Sequence, residues 1–182
     1  PVFYSPAAEP VTGRTAFIYP GSGSHYLGMG AEIALHWPVV TQQLDSASGF
    51  LKKQMKPVLF EPQRHTWPNG WQKDARRHIA QDPLSMLFGQ VSFGCLLTEL
   101  IRHCGIQPDA AIGYSLGEST ALFALKAWPD RDEMLRRMED SPLFRVDLWG
   151  PCRAVKKAWN LAPDVDVQWK AAVLNCPVRN VR

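Results

Sequence analysis

Two short apolar runs along the chain are each followed by glycines and then by a helical pattern. The first run, Ala16 to Tyr19, stops at Pro20-Gly21, and the second covers Asp109 to Ile112. A continuous apolar run of this length is typical of a strand that is buried on both faces, as in a parallel sheet. Because the order strand, glycine turn, helix occurs twice, the pattern predicts an α/β fold with a parallel sheet.

Helical periodicity predicts one long core helix and several shorter ones. Asp82 is a good N-cap, Pro83 suits a first helical turn and Gly105 suits a helix end, and the residues between are apolar on most sides. A polar helix is predicted from a capping box at Asp130 to Glu133, with Pro142 limiting its end. The remaining predictions are helices through Met29 to Leu35, Leu44 to Met55, Leu116 to Ala127 and up to Asn160, an irregular stretch from Pro57 to Trp71, and an alternating strand from Val165 to Val173.

Composition and charge narrow the class of protein. The 182 residues are 46% hydrophobic and 20% charged, which is ordinary globular usage. We predict a proline-rich linker over residues 1–14, a large α/β subdomain over 15–147, and the beginning of a small, incomplete subdomain over 148–182. The net charge of +3 is scattered along the chain, which argues against a nucleic-acid partner. No apolar run approaches the ~18 residues of a membrane span, so no membrane partner is expected.

The cysteines indicate the redox compartment. Cys95, Cys104, Cys152 and Cys176 show no C-x-x-C spacing, and no signal-peptide pattern precedes them. They predict reduced, mostly buried thiols rather than a disulfide framework or a zinc site. We therefore expect a cytoplasmic protein without a bound metal.

The segment Gly113 to Gly117 reads G-Y-S-L-G and fits the pattern G-x-S-x-G. Glycines on both sides of a serine allow a strained turn that lifts the hydroxyl above the end of a strand. The turn also opens a helix, so the backbone N–H of Leu116 and the helix dipole face the place where an oxyanion would form. Chance gives this pentapeptide in about one chain in twenty of this length, but the flanking strand and helix favour a catalytic role. Ser115 is predicted to be a nucleophile.

The loop after the first strand is also rich in glycine. Gly21 and Gly23 could begin G-x-G-x-x-G, but Tyr26 occupies the place of the third glycine. A P-loop is excluded because Met29-Gly30 stand where lysine and a hydroxyl residue are required. The N–H of Ser22 is predicted to supply the second half of an oxyanion hole. A glycine turn with only a structural role remains the alternative.

Together, the two loops resemble the malonyl-CoA:acyl-carrier-protein transacylases, the acyltransferase domains of fatty acid and polyketide synthases. Phe17 to Ser24 with Gly28 to Gly30 resembles the opening signature F-P-G-Q-G-S…G-M-G, and Gly113 to Glu118 resembles G-H-S-x-G-E. Details of both loops, with Ser141 to Phe144 and Trp149 to Pro151, look most like the acyltransferase of bacterial polyunsaturated fatty acid synthases.

The resemblance implies an α/β-hydrolase-like core with a nucleophile elbow, followed by the start of an inserted ferredoxin-like subdomain. It implies a ping-pong reaction in which the serine takes an acyl group from acyl-CoA and passes it to the phosphopantetheine thiol of an acyl carrier protein. The implied partners are carrier domains and other synthase subunits, and no tightly bound cofactor is implied. The implied site residues are Ser115 as nucleophile, Leu116 and Ser22 as oxyanion donors, and Gly21, Gly23, His25, Tyr114 and Glu118 as substrate-binding residues.

Three departures from the family pattern bear on activity. Ser22 stands where the family has glutamine, and Tyr114 replaces the histidine beside the serine. The family's malonyl-binding arginine corresponds to Met138 to Ser141, whose acidic pair cannot bind a malonyl carboxylate. Its catalytic histidine follows the inserted subdomain, so we expect an N-terminal fragment that lacks this base. Of the histidines present, only His25 lies beside a motif.

Two other functions fit the same residues. A serine esterase or thioesterase uses the same turn and oxyanion donors but hands the acyl group to water. A non-catalytic piece of a synthase would keep the fold and dock a carrier protein, and it predicts that Ser115 is never acylated. A test of acyl transfer against hydrolysis separates these readings.

Overall fold

The computed structural model describes residues 13–55, 66–167, 175–177 and 179. The chain divides into two compact units, Pro1–Glu139 and Asp140–Arg182. The predicted linker lies almost entirely outside the described residues, and the predicted subdomain boundaries stay a prediction. The described elements are, in chain order, β1 Ala16–Tyr19, α1 Ala31–His36, α2 Pro38–Ser46, α3 Leu51–Met55, α4 Trp71–Gln81, α5 Pro83–His103, β2 Ala110–Gly113, α6 Leu116–Ala124, α7 Arg131–Asp140, a π-helical turn Leu143–Asp147, and α8 Arg153–Ala158.

The two strands form a parallel sheet, as predicted. Ala16 pairs with Ala110 and Tyr19 pairs with Gly113, so β2 is shifted by one residue from the predicted run. Burial on both faces was wrong, because Ile18 is 74% exposed and Ile112 is 59% exposed. Tyr19, which points to the other face, is buried, and its hydroxyl lies 3.0 Å from the Thr98 hydroxyl on α5. Within the described chain, helices therefore cover one face of the sheet.

The long helix α5 forms the centre of the first unit, as its apolar pattern predicts. Asp82 caps it by accepting a hydrogen bond from the Ser85 N–H at 3.0 Å, and Pro83 occupies the first turn. The helix has 21 residues and its most apolar 18-residue stretch has a mean hydropathy of 1.5, so by length and composition alone it could cross a membrane. The prediction that no run approaches this length was therefore wrong. However, 56% of its most apolar stretch is buried inside the protein, as in a core helix.

The predicted helix from Leu44 to Met55 is wrong, because two helices, α2 and α3, occupy this stretch with a turn between them. At the turn, the Asp132 carboxylate accepts hydrogen bonds from the Ser48 hydroxyl at 2.6 Å and the Gly49 N–H at 2.7 Å. The bond to Gly49 satisfies a backbone N–H that a continuous helix would have bonded internally. The break is thus imposed by a distant carboxylate.

Other element ends also differ from the sequence patterns. Helix α6 stops at Ala124, three residues early, and Lys126 has a positive φ of 61°. Helix α4 already begins at Trp71, and α1 begins only at Ala31. Val165 to Val167 have no assigned strand, and the rest of that predicted strand lies outside the described residues.

The predicted capping box of α7 is only half formed. Asp130 accepts a hydrogen bond from the Glu133 N–H at 2.9 Å. The Glu133 carboxylate does not return to the cap but binds Arg136 and Arg137, at 2.8 and 2.7 Å. The helix ends before Pro142, as predicted.

A buried polar cluster ties α3, α5 and α7 together. The Gln54 amide is fully buried and donates to the Asp132 carboxylate at 2.6 Å. Its oxygen accepts from the Arg131 guanidinium at 3.1 Å and from the Ser92 hydroxyl at 3.4 Å. Arg131 also donates to the Leu44 carbonyl at 3.4 Å, near the negative end of α2. The amide therefore links a buried cation to a carboxylate.

Candidate active site

The first glycine loop and the serine turn meet at one edge of the sheet. In a parallel pair the carboxyl ends of both strands lie at the same edge, and here Tyr19 is directly opposite Gly113. The Tyr114 N–H donates to the Tyr19 carbonyl at 3.1 Å, which extends the pairing by one bond. Hence two motifs that are more than 80 residues apart in sequence become neighbours.

Ser115 lies in a strained backbone conformation between β2 and α6. Its φ is 53° and its ψ is −117°, a region that residues with a side chain rarely adopt. A Cβ on Gly113 would collide with the Glu118 N–H, and a Cβ on Gly117 would collide with the Tyr19 carbonyl. Both glycines of G-x-S-x-G are thus required by close backbone approaches. The turn leaves Ser115 exposed at the edge of the sheet.

The start of α6 supplies backbone donors beside Ser115. The N–H groups of Gly117 and Glu118 donate to the Tyr114 and Ser115 carbonyls, at 2.8 and 2.9 Å. Leu116 is the first residue of the helix, where an N–H has no acceptor within the helix. The Glu118 carboxylate is exposed in the first turn, where it complements the positive end of the helix dipole.

The first loop packs directly on the serine turn. A Cβ on Gly21 would lie 2.8 Å from the Tyr114 ring and 3.2 Å from the Tyr114 carbonyl oxygen. A side chain there would require the exposed Tyr114 ring to move and the backbone to shift slightly. Ser22 and Gly23 follow on the surface, and Gly23 has a φ of 98°. The structure therefore brings Gly21 and Tyr114 together and leaves Ser22, the residue after Gly21, exposed.

Gln90 of α5 also holds the first loop, and the sequence analysis missed it. Its side-chain N–H₂ donates to the Gly21 carbonyl at 2.5 Å and to the Pro20 carbonyl at 3.3 Å. Gln90 is 7% exposed, which is unusual for an amide in a helix that is apolar on most sides. That anomaly was visible in the sequence and could have marked the residue.

No general base is bonded to Ser115 within the described residues. The Ser115 hydroxyl makes no hydrogen bond there, to His25 or to any other described histidine. His25 is half-buried, and its Nδ1 is buried without a hydrogen-bond partner in the described part of the chain. His36, His78 and His103 are exposed, and His65 lies outside the described residues.

Two arginines of α7, close in sequence to the stretch that the resemblance aligns with a malonyl-binding arginine, are already paired. Arg136 and Arg137 are exposed and both bind Glu133, at 2.8 and 2.7 Å. Hydrogen bonds lower the pKa of Glu133 to about 2, and the bond from Arg136 contributes more than the bond from Arg137. Glu139 lies 4.0 Å from Lys53. These contacts are those of a solvated polar helix face.

An apolar cavity of about 360 Å³ adjoins the first loop, between β1, α1 and α5. Its lining includes Ser24 and Tyr26 of the loop, Ile33 of α1, and Gln90 and Phe93 of α5. No lysine, arginine, aspartate or glutamate lines it among the described residues. Across the described ranges, no three histidine, cysteine, aspartate or glutamate side chains are grouped so as to hold a metal ion.

The fold and the site define an α/β protein with a strained serine between a strand and a helix, beside a glycine loop. No family model matches the chain. Among curated proteins, the malonyl CoA-acyl carrier protein transacylase of Bacillus subtilis is 29% identical over 119 residues, which are 65% of this chain and 33% of the relative. The mycoketide-CoA synthase of Mycobacterium tuberculosis is 33% identical over 120 residues, 66% of this chain and 3% of the relative.

Further similarities are of the same kind. The conidial pigment polyketide synthase PfmaE of Pestalotiopsis fici is 31% identical over 114 residues, 63% of this chain and 5% of the relative. Among solved structures, MCAT from Streptococcus pneumoniae has a TM-score of 0.46 and 27% identity, over 61% of this chain and 32% of that one. The acyl transferase domain of ZmaA has a TM-score of 0.47 and 24% identity, over 59% of this chain and 24% of that one.

The sequence matches establish homology to malonyl-CoA:acyl-carrier-protein transacylases and polyketide synthase acyltransferase domains. The chain spans 33% of the length of the Bacillus transacylase and 5% or less of the two synthases.

Proposed function

We propose that this chain carries the acyl-accepting serine of an acyltransferase that serves an acyl carrier protein in fatty acid or polyketide-type synthesis. The observation that carries the proposal is the conformation of Ser115, whose φ of 53° holds an exposed hydroxyl between β2 and α6. A fold retains such strain where the geometry is used. The homology to transacylases supports acyl transfer as that use.

In the proposed reaction, the Ser115 hydroxyl oxygen attacks the thioester carbonyl of an acyl-CoA. The hydroxyl proton leaves to a base, the C–S bond breaks, and the coenzyme thiol departs with a proton. The carrier's phosphopantetheine thiol then attacks the ester and restores the serine hydroxyl. The N–H groups of Leu116 and Ser22 are the proposed oxyanion donors, so the turn acts as a nucleophile elbow.

Two observations favour an acyl group without a carboxylate. Arg136 and Arg137, which lie just before the stretch that the resemblance aligns with a malonyl-binding arginine, are bound to Glu133, and the cavity beside the first loop has no charged lining among the described residues. We propose a role in a polyunsaturated fatty acid synthase of the cytoplasm, with carrier domains and other synthase subunits as partners. Gly21, Gly23, His25, Tyr114 and Glu118 are the proposed substrate-contacting residues, and the inserted ferredoxin-like subdomain beginning near residue 148 is part of the same proposal.

Intact-mass spectrometry after incubation with acetyl-, malonyl- and long-chain acyl-CoA tests the proposal. The chain should gain the mass of one acyl group, and Ser115→Ala should gain none. Ser119→Ala is the matched control, because Ser119 lies one turn further along α6 and should not affect acylation. The long-chain donor should label faster than malonyl-CoA.

Three results would contradict the proposal. An adduct that persists on Ser115→Ala would place the acyl group on another residue. Labelling of neither this chain nor a longer protein that also carries the expected histidine base would indicate a carrier-docking piece without catalytic activity. Release of free acid instead of transfer to an added holo carrier protein would indicate a thioesterase.

A further inference from the structure

Gln90 has more hydrogen-bonding chemistry than a packing residue in a core helix requires. It is 7% exposed, yet its side-chain oxygen is buried without a hydrogen-bond partner in the described part of the chain. An unsatisfied buried oxygen is unfavourable, and an apolar side chain of the same size would avoid it. What the amide contributes is its nitrogen, which donates to the Gly21 and Pro20 carbonyls. Since a carbonyl oxygen can only accept, the orientation of the amide is determined.

The bond to Gly21 fixes the direction of the next backbone N–H. The described chain has no cis peptide bond, and in a trans peptide the carbonyl and the following N–H point in opposite directions. With the Gly21 carbonyl held toward Gln90 on α5, the Ser22 N–H must point away from that helix. On its other side Gly21 packs against Tyr114, which immediately precedes Ser115.

We propose that Gln90 is a positioning residue that presents the Ser22 N–H to the acyl group on Ser115. This inference rests on the proposed function, because it needs an oxyanion at that place. Gln90 itself does not touch the reacting atoms. Its side chain holds the Gly21–Ser22 peptide in place through the hydrogen bond to the Gly21 carbonyl.

The first test compares Gln90→Met with the original chain. Methionine has a similar volume and no donor, so the peptide can rotate and the Ser22 N–H loses its fixed direction. Complete loss of one oxyanion donor lowers a rate by about 10²–10³. Because the Ser22 N–H is misdirected rather than removed, we expect a smaller fall in the acylation rate, about tenfold to hundredfold. The KM for acyl-CoA should change less than twofold. Ser92→Ala, a buried change on the same helix that faces Gln54, is the control and should keep the full rate.

The second test uses Gln90→Glu, whose effect depends on pH. A carboxylate cannot donate to the two carbonyls, whereas a protonated carboxyl can donate one O–H bond to the Gly21 carbonyl. The acylation rate of this variant, divided by that of the original chain, should therefore rise as the pH is lowered. A merely structural defect of the buried carboxylate would change the rate only in step with the folded fraction, so circular dichroism is measured at each pH and the ratio is taken per folded molecule.

The outcomes separate this inference from the proposed function. If the original chain and Ser92→Ala are acylated and Gln90→Met is acylated at the same rate, Gln90 has no positioning role although the proposed function stands. If neither the original chain nor a longer protein that also carries the expected histidine base is acylated, the proposed function fails first. If Gln90→Met does not fold, as judged by circular dichroism, the pH ratio of Gln90→Glu decides, and a flat ratio overturns the inference.

Discussion

Replacing Gln54 with methionine is expected to destabilise the first unit strongly, although the two side chains have similar volumes. Gln54 is fully buried and bonds to the Arg131 guanidinium, the Asp132 carboxylate and the Ser48 hydroxyl, at 3.1, 2.6 and 3.1 Å. Methionine makes none of these bonds. Arg131 is only 7% exposed. Among the described residues, the Leu44 carbonyl would be the one oxygen atom still accepting a hydrogen bond from it.

The magnitude follows from the bonds that are lost. A hydrogen bond to a charged group contributes about 1.5–3 kcal/mol, and stripping a partner from a buried charge costs about 3–5 kcal/mol. The Asp132 carboxylate still has Ser48 and Gly49 as donors, so the main cost is at Arg131. We expect a loss of about 3–4 kcal/mol in the free energy of unfolding.

Urea unfolding followed by circular dichroism measures this loss. The double variant Gln54→Met with Arg131→Met should lose less than the sum of the single variants, by about 1–3 kcal/mol, because no buried charge is left unbonded. The exposed neighbour Lys53→Ala should change stability by less than about 0.5 kcal/mol. A loss below about 1 kcal/mol for Gln54→Met, or strict additivity in the double variant, would refute the argument.

Two further predictions follow from other contacts. Gly117→Ala places a methyl group against the Tyr19 carbonyl and should lower the free energy of unfolding by about 1–3 kcal/mol. Gly13→Ala, where the added methyl group has open space around it, should leave the stability unchanged. Thermal melts of the two variants and the original chain measure the difference. Burial raises the pKa of Cys95 to about 11 from 9.0, so the unfolded thiol loses its proton first and stability should fall between those pH values by at most about 1.4 kcal/mol per unit. Cys95→Ala should remove that part of the slope, and an unchanged slope would contradict the assignment.

The strands and the serine turn could be predicted because their signals are local. Ala16 to Tyr19 and the glycines around Ser115 specify strand, turn and helix within a few residues, and the structure has them in that order. The break between α2 and α3 could not be predicted in this way. It depends on Asp132, which lies 83 residues beyond the Gly49 N–H that it binds.

The candidate site could be predicted to a similar extent as the fold. The glycine loop and the G-x-S-x-G segment were found from the sequence, and the parallel pairing of Tyr19 with Gly113 brings them together. Gln90 was missed because its effect depends on contacts with carbonyls about 70 residues away. No periodicity shows which buried polar residue will meet which loop.

The backbone of Ser115 sets a trade-off between durability and chemistry. A residue with a side chain at its φ of 53° and ψ of −117° costs on the order of 1–3 kcal/mol, and glycine would relieve much of that cost. If this chain were selected for heat resistance alone, glycine should therefore replace Ser115 and the hydroxyl would be lost. Ser115→Ala keeps the same backbone cost, so it isolates the loss of the hydroxyl without making the protein more robust.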